Sequence, residues 1–407
     1  MIKKVLYISY DGMTDPLGQS QVLPYLVALS KQGYQFTLLS FEKKGRYKKE
    51  KAIIENITRE AGINWTPLFF TARPPLLSKM YDRWKLLSAA KMLHKNEKFD
   101  IVHCRSYIAA EGGFLLKKKF GTKFLFDMRG FWADERVDNG QWDLKNIFYR
   151  NLYNYYKRQE KNFLLAADGI VSLTKAGKDL LQKNETYKSL LIDVIPCCAD
   201  MIHFDFKSIS QEQKNQLRNQ LGIEPGKKVI TYLGSIGGWY MTKEMFQFYN
   251  RLLLKYPEFV MLILTKDDNE KVMKEAEENG IPADKIFVCY AKREDVPVYL
   301  GISNCSIFFI RPTYSKTASS PTKHAELMGM GIPVVCNDIG DTGNIIKATG
   351  TGIVIDAFAM EAYDKAVEQF SDFLNLSPAY IRESAIKYFD LETGTKKYKE
   401  LYDRMLN

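Results

Sequence analysis

The sequence predicts an α/β protein made of two doubly wound domains, each a parallel sheet with helices on both faces. Strand-sized apolar runs alternate with helix-length amphipathic segments along the chain. This alternation is typical of stacked βαβ units, and it occurs in both halves of the sequence. A chain of 407 residues that is 46% hydrophobic also suffices for two or three domains with cores of their own.

The first half carries six predicted strands separated by predicted helices. The strands are expected at residues 5–9, 36–41, 65–70, 101–104, 123–127 and 169–173, and the clearest helices at 81–96 and 146–165.

The second half repeats this scheme after Pro196, where a strand ends. A polar stretch, 203–210, follows, and Ser210 is expected to cap a helix over 211–221. The strands are expected at residues 229–233, 260–265, 286–289, 306–310, 334–337 and 352–355. We therefore predict a first domain over 1–196, a second over 197–385, and an amphipathic segment, 386–407, that packs back on the first. A cleft between the two domains is the predicted active site, since such sheets bind ligands at the carboxyl ends of their strands.

The net charge of +10 suggests an anionic partner. Nucleic acid is not expected, because the cations are spread along the chain without a recognition motif. The apolar run at the N-terminus is too short for a signal peptide, and no window reaches the roughly 18 apolar residues of a membrane span. We predict a cytoplasmic protein. Residues 73–87 mix apolar and aromatic residues with cations, so they suit either docking on an anionic membrane at its inner face or a helix with a solvated basic side.

The cysteines and histidines do not form a metal-binding pattern. The six cysteines lack paired C-x-x-C spacings, and the four histidines are scattered. We expect buried free thiols, no metal site and no cofactor.

The most informative segment is 319–335. Ser320 is expected as the N-cap and Pro321 as the first residue of a short helix that stops near Gly331. Lys323 and His324 stand in its first turn, where cations oppose the helix dipole unless an anion binds there. Glu326 is placed to accept hydrogen bonds from a sugar diol. The alternative is an ordinary surface pair between Lys323 and Glu326.

Three loops after predicted strands complete the candidate site. In the first, 10–21, Gly18 is expected to let a ligand approach the backbone beside Gln19. In the second, 234–240, Ser235, Gly237 and Gly238 either line a diphosphate or form a plain tight loop.

The third loop, 127–140, is rich in charges and aromatic residues. Asp127 and Arg129 are candidates for handling the reacting sugar or the acceptor, and Trp132 and Glu135 for binding the acceptor. A surface network of ion pairs is the alternative, and His103 is interpreted as a core histidine.

Four of these stretches together resemble the retaining sugar-nucleotide glycosyltransferases of family 4, which have the GT-B fold of two Rossmann-like domains. They are residues 9–26 with Gly18 to Gln21, residues 167–172, residues 194–200 and the block 320–335. The resemblance covers nearly the whole chain. It implies that Glu326, the second glutamate of the family's E-x7-E pattern, holds the nucleotide ribose and that Lys323 binds the diphosphate. The chain departs from the family at Ala318, where the first glutamate would stand, and at Ser235, where an arginine is common.

The resemblance also implies an activity. It implies metal-independent, retaining transfer of a hexose-type unit from a nucleoside diphosphate sugar to a lipid-linked or saccharide acceptor, in cell-surface polysaccharide assembly. Lys323 with Arg129 and Asp127 would carry the chemistry, and Ser320 and Thr322 would help to bind the donor. A sugar-nucleotide epimerase and a non-catalytic nucleotide-sugar-binding partner are the alternatives.

Overall fold

The computed structural model of the protein describes residues 2–407, and all of their side chains except those of Pro75 and Leu76. The chain divides into two compact units. The first comprises residues 1–196 together with 391–407, and the second comprises residues 197–390.

The sheet of the first unit has, within the described residues, seven parallel strands in the order β3-β2-β1-β4-β5-β6-β7. The order reverses between β1 and β4, which is where ligands bind in sheets of this type. The strands are β1 Lys3–Ser9, β2 Tyr34–Glu42, β3 Asn64–Phe69, β4 Ile101–Arg105, β5 Lys123–Asp127, β6 Gly169–Ser172 and β7 Ile192–Val194. The helices are α1 Pro16–Gln21, α2 Leu23–Ser30, α3 Lys44–Glu60, α4 Pro75–Glu97, α5 Ser106–Phe120, α6 Trp132–Asp138, α7 Ile147–Ala166 and α8 Lys175–Gln182.

The second unit has a parallel sheet of six strands within the same described range, in the order β10-β9-β8-β11-β12-β13. Its strands are β8 Lys228–Leu233, β9 Phe259–Leu264, β10 Ile286–Cys289, β11 Cys305–Phe308, β12 Val334–Asn337 and β13 Gly352–Ile355. Its helices are α9 Gln211–Leu221, α10 Thr242–Lys255, α11 Asn269–Glu278, α12 Val296–Leu300, α13 Thr322–Gly329, α14 Thr342–Thr349, α15 Met360–Glu368, α16 Phe370–Leu374 and α17 Pro378–Phe389.

The last helix, α18 Leu391–Leu406, belongs to the first unit. It buries Tyr398, Leu401, Tyr402 and Met405. A Cβ added at Gly169 would lie 2.7 Å from the sulfur of Met405, so a side chain there would push the helix off the sheet. The segment that belongs to the first unit begins at Leu391, five residues later than the predicted start at residue 386.

The α/β fold with two parallel sheets is confirmed. All twelve predicted strands are present, and only their ends differ. The strand that the sequence places before Pro196 is present as β7, which ends at Val194. The capping box at Ser210 is present, and the six cysteines are free, five of them buried. Among the described residues, no helix has the length and apolar character needed to cross a membrane.

Candidate functional site

The helix α13 carries the residues that the sequence singled out in the second unit. Its start differs from the prediction, because Pro321 rather than Ser320 is the N-cap. The Ser320 hydroxyl instead accepts a hydrogen bond from the Cys197 backbone N–H at 3.2 Å. Ser320 and Thr322 therefore stand at the mouth of the helix, half-buried, without capping its N–H groups.

The Lys323 ammonium is buried against two aromatic rings. Its Nζ lies 3.5 Å from the ring centroid of Tyr240 and 4.2 Å from that of Tyr232. It lies beneath Gly234, where an added Cβ would come within 2.8 Å of it. Although Lys323 is only 6% exposed, its Nζ has no hydrogen-bond partner among the described residues. The ammonium therefore lacks the hydrogen-bond acceptors that an anionic ligand would supply.

Burial dominates the protonation of this helix. It lowers the pKa of Lys323 well below that of a free lysine, although the carboxylate of Glu326 works in the opposite direction. It lowers the pKa of His324 to about 3, and the imidazole packs between Phe308 and Phe389. The prediction of two cations in the first turn is therefore wrong for His324, which is a neutral core residue.

Glu326 is also buried, at 8% exposure, so the alternative of a surface pair with Lys323 is wrong. Its Oε1 lies 3.3 Å from an Nη1 of Arg293, which comes from the loop after β10. Burial raises the pKa of Glu326, while Arg293 favours the ionised form. Arg293 was missed, because nothing in its local sequence distinguishes it from other surface cations.

The glycine-rich loop after β8 is partly occupied by its own hydrogen bonds. The Ile236 N–H donates to Asp267 at 2.5 Å, and the Gly237 N–H donates to the Thr242 hydroxyl at 3.0 Å. The predicted use of the Gly237 N–H as a diphosphate donor is therefore wrong for this conformation. Gly238 and Ser235 are exposed on the same loop. Gly237 and Gly238 both have positive φ.

A second lysine lies on an aromatic ring of this loop. The Nζ of Lys316 is 4.0 Å from the ring centroid of Trp239. Lys316 belongs to the short turn Ser315–Ala318 that precedes α13, and Ala318 itself is buried. Lys316 and Lys323 thus each lie on an aromatic ring of the loop 234–240, and a buried alanine stands where the family pattern has a glutamate.

In the first unit, Asp127 ends β5 in a buried polar cluster. Its Oδ2 accepts a hydrogen bond from the Tyr398 hydroxyl at 3.1 Å and lies 3.6 Å from His103 Nε2 and 3.7 Å from Arg129 Nη1. Burial alone would raise the pKa of Asp127, but Arg129, His103 and Arg105 together hold it below the ordinary value. The carboxylate is only 1% exposed, and its Oδ1 has no hydrogen-bond partner among the described residues, so the direct contact of Asp127 with substrate stays a prediction.

The backbone at this edge of the sheet adopts unusual conformations. Arg129, two residues after β5, has a φ of 59°, and Ser106, directly after β4, has a φ of 68°. Non-glycine residues are uncommon in this region, and such residues cluster at functional sites. The alternative of a surface ion-pair network does not hold for Asp127 and Arg129, because the pair is buried.

The segment that follows is a helix, not the predicted loop. Trp132 begins α6 and packs against Tyr107, Tyr156 and Trp142, with the Arg136 guanidinium 4.5 Å from its ring centroid. Glu135 lies on the same helix and is half-buried.

Gly18 lies inside the helix α1 rather than in a loop. A Cβ added there would come 2.3 Å from the Gly12 carbonyl oxygen, so the glycine accommodates the protein's own backbone. The predicted reason for Gly18, approach of a ligand, is therefore wrong. Gln19 beside it is half-buried. Within residues 2–407, no three histidine, cysteine or acidic side chains are grouped so that they could hold a metal ion.

Comparison with known proteins covers both units. Residues 20–201 match the family model described as Glycosyltransferase Family 4, and residues 213–385 match the model described as Glycosyl transferases group 1. A curated relative, the D-inositol 3-phosphate glycosyltransferase of Rhodococcus jostii (strain RHA1), is 19% identical over 284 residues. The alignment spans 68% of this chain and 59% of that relative, which is less than two thirds of its length.

Two solved structures illustrate the likeness in fold. A glycosyltransferase from Rickettsia africae ESF-5 matches with a TM-score of 0.73 and 16% identity, covering 100% of this chain and 99% of that one. Anabaena HepE, solved in complex with UDP-glucose, matches with a TM-score of 0.68 and 13% identity, covering 98% and 99%. At these identities the structures establish the GT-B architecture and nothing more specific.

Proposed function

Because the chain belongs to the family 4 glycosyltransferases of GT-B fold, we propose that it transfers a sugar from a nucleoside diphosphate sugar to a lipid-linked or saccharide acceptor, with the anomeric configuration retained. The transferred unit is proposed to be a hexose, and the product to serve cell-surface polysaccharide assembly.

The observation that carries this proposal is the unpartnered Lys323 ammonium. A buried cation without a hydrogen-bond partner is costly in the free protein, and a diphosphate would supply the missing charge and acceptors. Charge builds up on the diphosphate as the sugar leaves, so a pre-positioned cation there lowers the barrier. In this proposal Lys323 stabilises the charge of the departing diphosphate without a metal ion.

Glu326 is proposed to hold the nucleotide ribose. Its carboxylate lies on the same helix as Lys323, three residues further on, and both are at the buried mouth of α13. Burial raises the pKa of Glu326 and Arg293 opposes this rise, and in its ionised form the carboxylate accepts two hydrogen bonds from a diol. Ser320, Thr322, Ser235 and Gly238 complete the proposed donor site. The complex of Anabaena HepE with UDP-glucose supports a sugar nucleotide as the ligand class.

The acceptor is proposed to bind the first unit near Arg129, Trp132 and Glu135, with Gln19 of α1 as a further contact. In this proposal Asp127 is a positioning residue, whose buried carboxylate orients the guanidinium of Arg129. We place the protein in the cytoplasm, at the inner face of the membrane where a lipid-linked acceptor is exposed.

The test starts with the donor. The full chain is screened by thermal shift against nucleoside diphosphates and their sugar conjugates, since a ligand of the folded state raises Tm. The best donor is then incubated with lipid-linked and saccharide acceptors, and the anomeric configuration of the product is determined by NMR. Glu326→Gln should weaken donor binding by about tenfold, the loss of a charged hydrogen bond. Glu361→Gln, an exposed glutamate of α15, is the matched control and should bind as the wild type does.

Three results would replace the proposal. A product whose anomeric configuration is inverted relative to the donor would disprove the retaining mechanism. Conversion of the donor without any acceptor would point to an epimerase. Tight donor binding without turnover across the acceptor panel would point to a non-catalytic partner, a role that the buried Ala318 in place of the family glutamate would suit.

A further inference from the structure

The helix α4 is apolar on two opposite faces. Leu86 and Ala90 are fully buried on one face, toward the sheet and α5. The other face carries four exposed apolar residues spaced three or four positions apart, so that they form one stripe along the helix. They are Leu77, Met80, Tyr81 and Trp84. A helix that only covers a sheet needs one apolar face, so the second requires another explanation.

The exposed stripe, Leu77, Met80, Tyr81 and Trp84, is contiguous. The rings of Tyr81 and Trp84 stack with centroids 5.6 Å apart and planes 19° from parallel, and Trp84 remains 60% exposed. Single exposed apolar residues are ordinary on protein surfaces, whereas contiguous patches usually mark a surface that binds something.

The charges around the stripe are positive. Residues 71–97 contain six lysines and arginines against two acidic residues, Asp82 and Glu97. Both acids are engaged within the protein, Asp82 with Thr71 and Lys85 and Glu97 with Thr37. The cations Arg73, Lys79, Lys91 and Lys95 form no ion pair with any described residue.

The stripe continues toward the proposed acceptor residues of the first unit. Arg83 of α4 donates a hydrogen bond to the Tyr155 hydroxyl of α7 at 2.7 Å. Tyr155 contacts Tyr156, whose ring lies 4.8 Å from that of Trp132. At the first turn of α7, Ile147 and Phe148 are exposed as well.

We propose that this face of α4, together with the first turn of α7, docks the protein on an anionic lipid bilayer. Tryptophan and tyrosine favour the interface between water and lipid, methionine and leucine enter the acyl region, and the unpaired cations attract anionic headgroups. The inference deepens the proposed function and rests on it for its purpose, because a docked α4 brings the Trp132 region to the layer that holds a lipid-linked acceptor.

The experiment measures binding of the full chain to vesicles by co-sedimentation. One set contains phosphatidylcholine alone, and the other also contains phosphatidylglycerol. We expect binding to the anionic vesicles only, weakening with added salt. The double variant Met80→Asp/Trp84→Asp should lower the partition coefficient at least about tenfold, and Lys91→Glu/Lys95→Glu should lower it by a similar factor. Leu254→Asp is the matched control, since Leu254 is 73% exposed on α10, and it should leave binding unchanged.

Equal binding of the wild type and the Met80/Trp84 variant, or equal binding to both kinds of vesicle, would overturn the inference. The inference would also be overturned if the wild type formed a concentration-dependent dimer without lipid and the Met80/Trp84 variant did not. The exposed stripe of α4 would then bind a second copy of the chain. Circular dichroism and Tm establish that each variant is folded. Failure here is separable from failure of the proposed function, since donor binding is measured without vesicles and reports on the second unit.

Discussion

Two buried clusters of charged residues, one in each unit, differ in how their charges are compensated. Around Asp127 in the first unit, a carboxylate oxygen is shared by a tyrosine hydroxyl, an imidazole and a guanidinium. Around Lys323 in the second unit, the ammonium lies against the faces of two tyrosine rings and has no hydrogen-bond partner among the described residues. A cluster that supplies its own counter-charges contributes to the fold, whereas a buried cation without a partner indicates a ligand.

The comparison predicts that breaking the Asp127 cluster costs stability. Asp127→Asn would leave Arg129 without its buried counter-charge, and loss of one partner of such a pair costs about 3–5 kcal/mol. We expect the free energy of unfolding, measured in urea, to fall by that amount. Glu185→Gln is the control, because its pair with Lys188 is exposed and such pairs contribute about 0–1 kcal/mol. Similar losses in both variants would remove the distinction between the clusters.

The same comparison predicts the opposite behaviour for Lys323. Lys323→Met replaces an unpartnered buried cation by an apolar chain of similar length, so the free energy of unfolding should stay the same or rise. Affinity for a nucleoside diphosphate should fall by about 100-fold, the equivalent of a charged hydrogen bond at the strong end of its range. Isothermal titration calorimetry and urea unfolding measure the two quantities. A variant that unfolds more easily and still binds would reverse the assignment.

Donor binding should depend on pH through Lys323. Its pKa is lowered in the free protein by burial, and a bound diphosphate would raise it again, so binding takes up a proton. Affinity should therefore fall as pH rises above the lowered pKa, by at most about tenfold per pH unit, until the pKa of the bound state is reached. Calorimetry in buffers of different ionisation enthalpy detects the proton uptake. Lys323→Met should abolish this dependence, and its persistence in the variant would assign the proton to another group.

The smallest expected effect concerns the aromatic ring over the ammonium. Tyr240→Leu removes the nearer ring, and a desolvated cation–π contact contributes up to about 2 kcal/mol. We expect donor affinity to fall by roughly tenfold, because without the ring the ammonium of the free protein is no longer held in position. Tyr240→Phe keeps the ring and should bind as the wild type does. Equal weakening in both variants would show that the hydroxyl matters and the ring does not.

Much of the proposed donor site could be predicted, because it lies in one continuous segment. Lys323 and Glu326 are three residues apart, and a short helix between a proline and a glycine brings them to one mouth. Arg293, Tyr232, Tyr240 and Lys316 could not be found in the same way, since they come from other strands and loops. The start of α13 was misplaced by one residue because the Ser320 hydroxyl accepts a hydrogen bond from a distant N–H instead of capping the helix.

Local pattern alone determined the parallel α/β architecture, its strands and the acidic and basic pair on α13, because apolar periodicity and helix-stop residues act over a few neighbours. Only the tertiary structure decided the charge of each group. His324 is neutral because two phenylalanines enclose it, and Asp127 is ionised because cations from β4 and the segment after β5 surround it. Lys323 has no hydrogen-bond partner among the described residues because its ammonium lies against aromatic faces. Burial and counter-charges come from residues far apart in the chain, so protonation is a property of the packed fold.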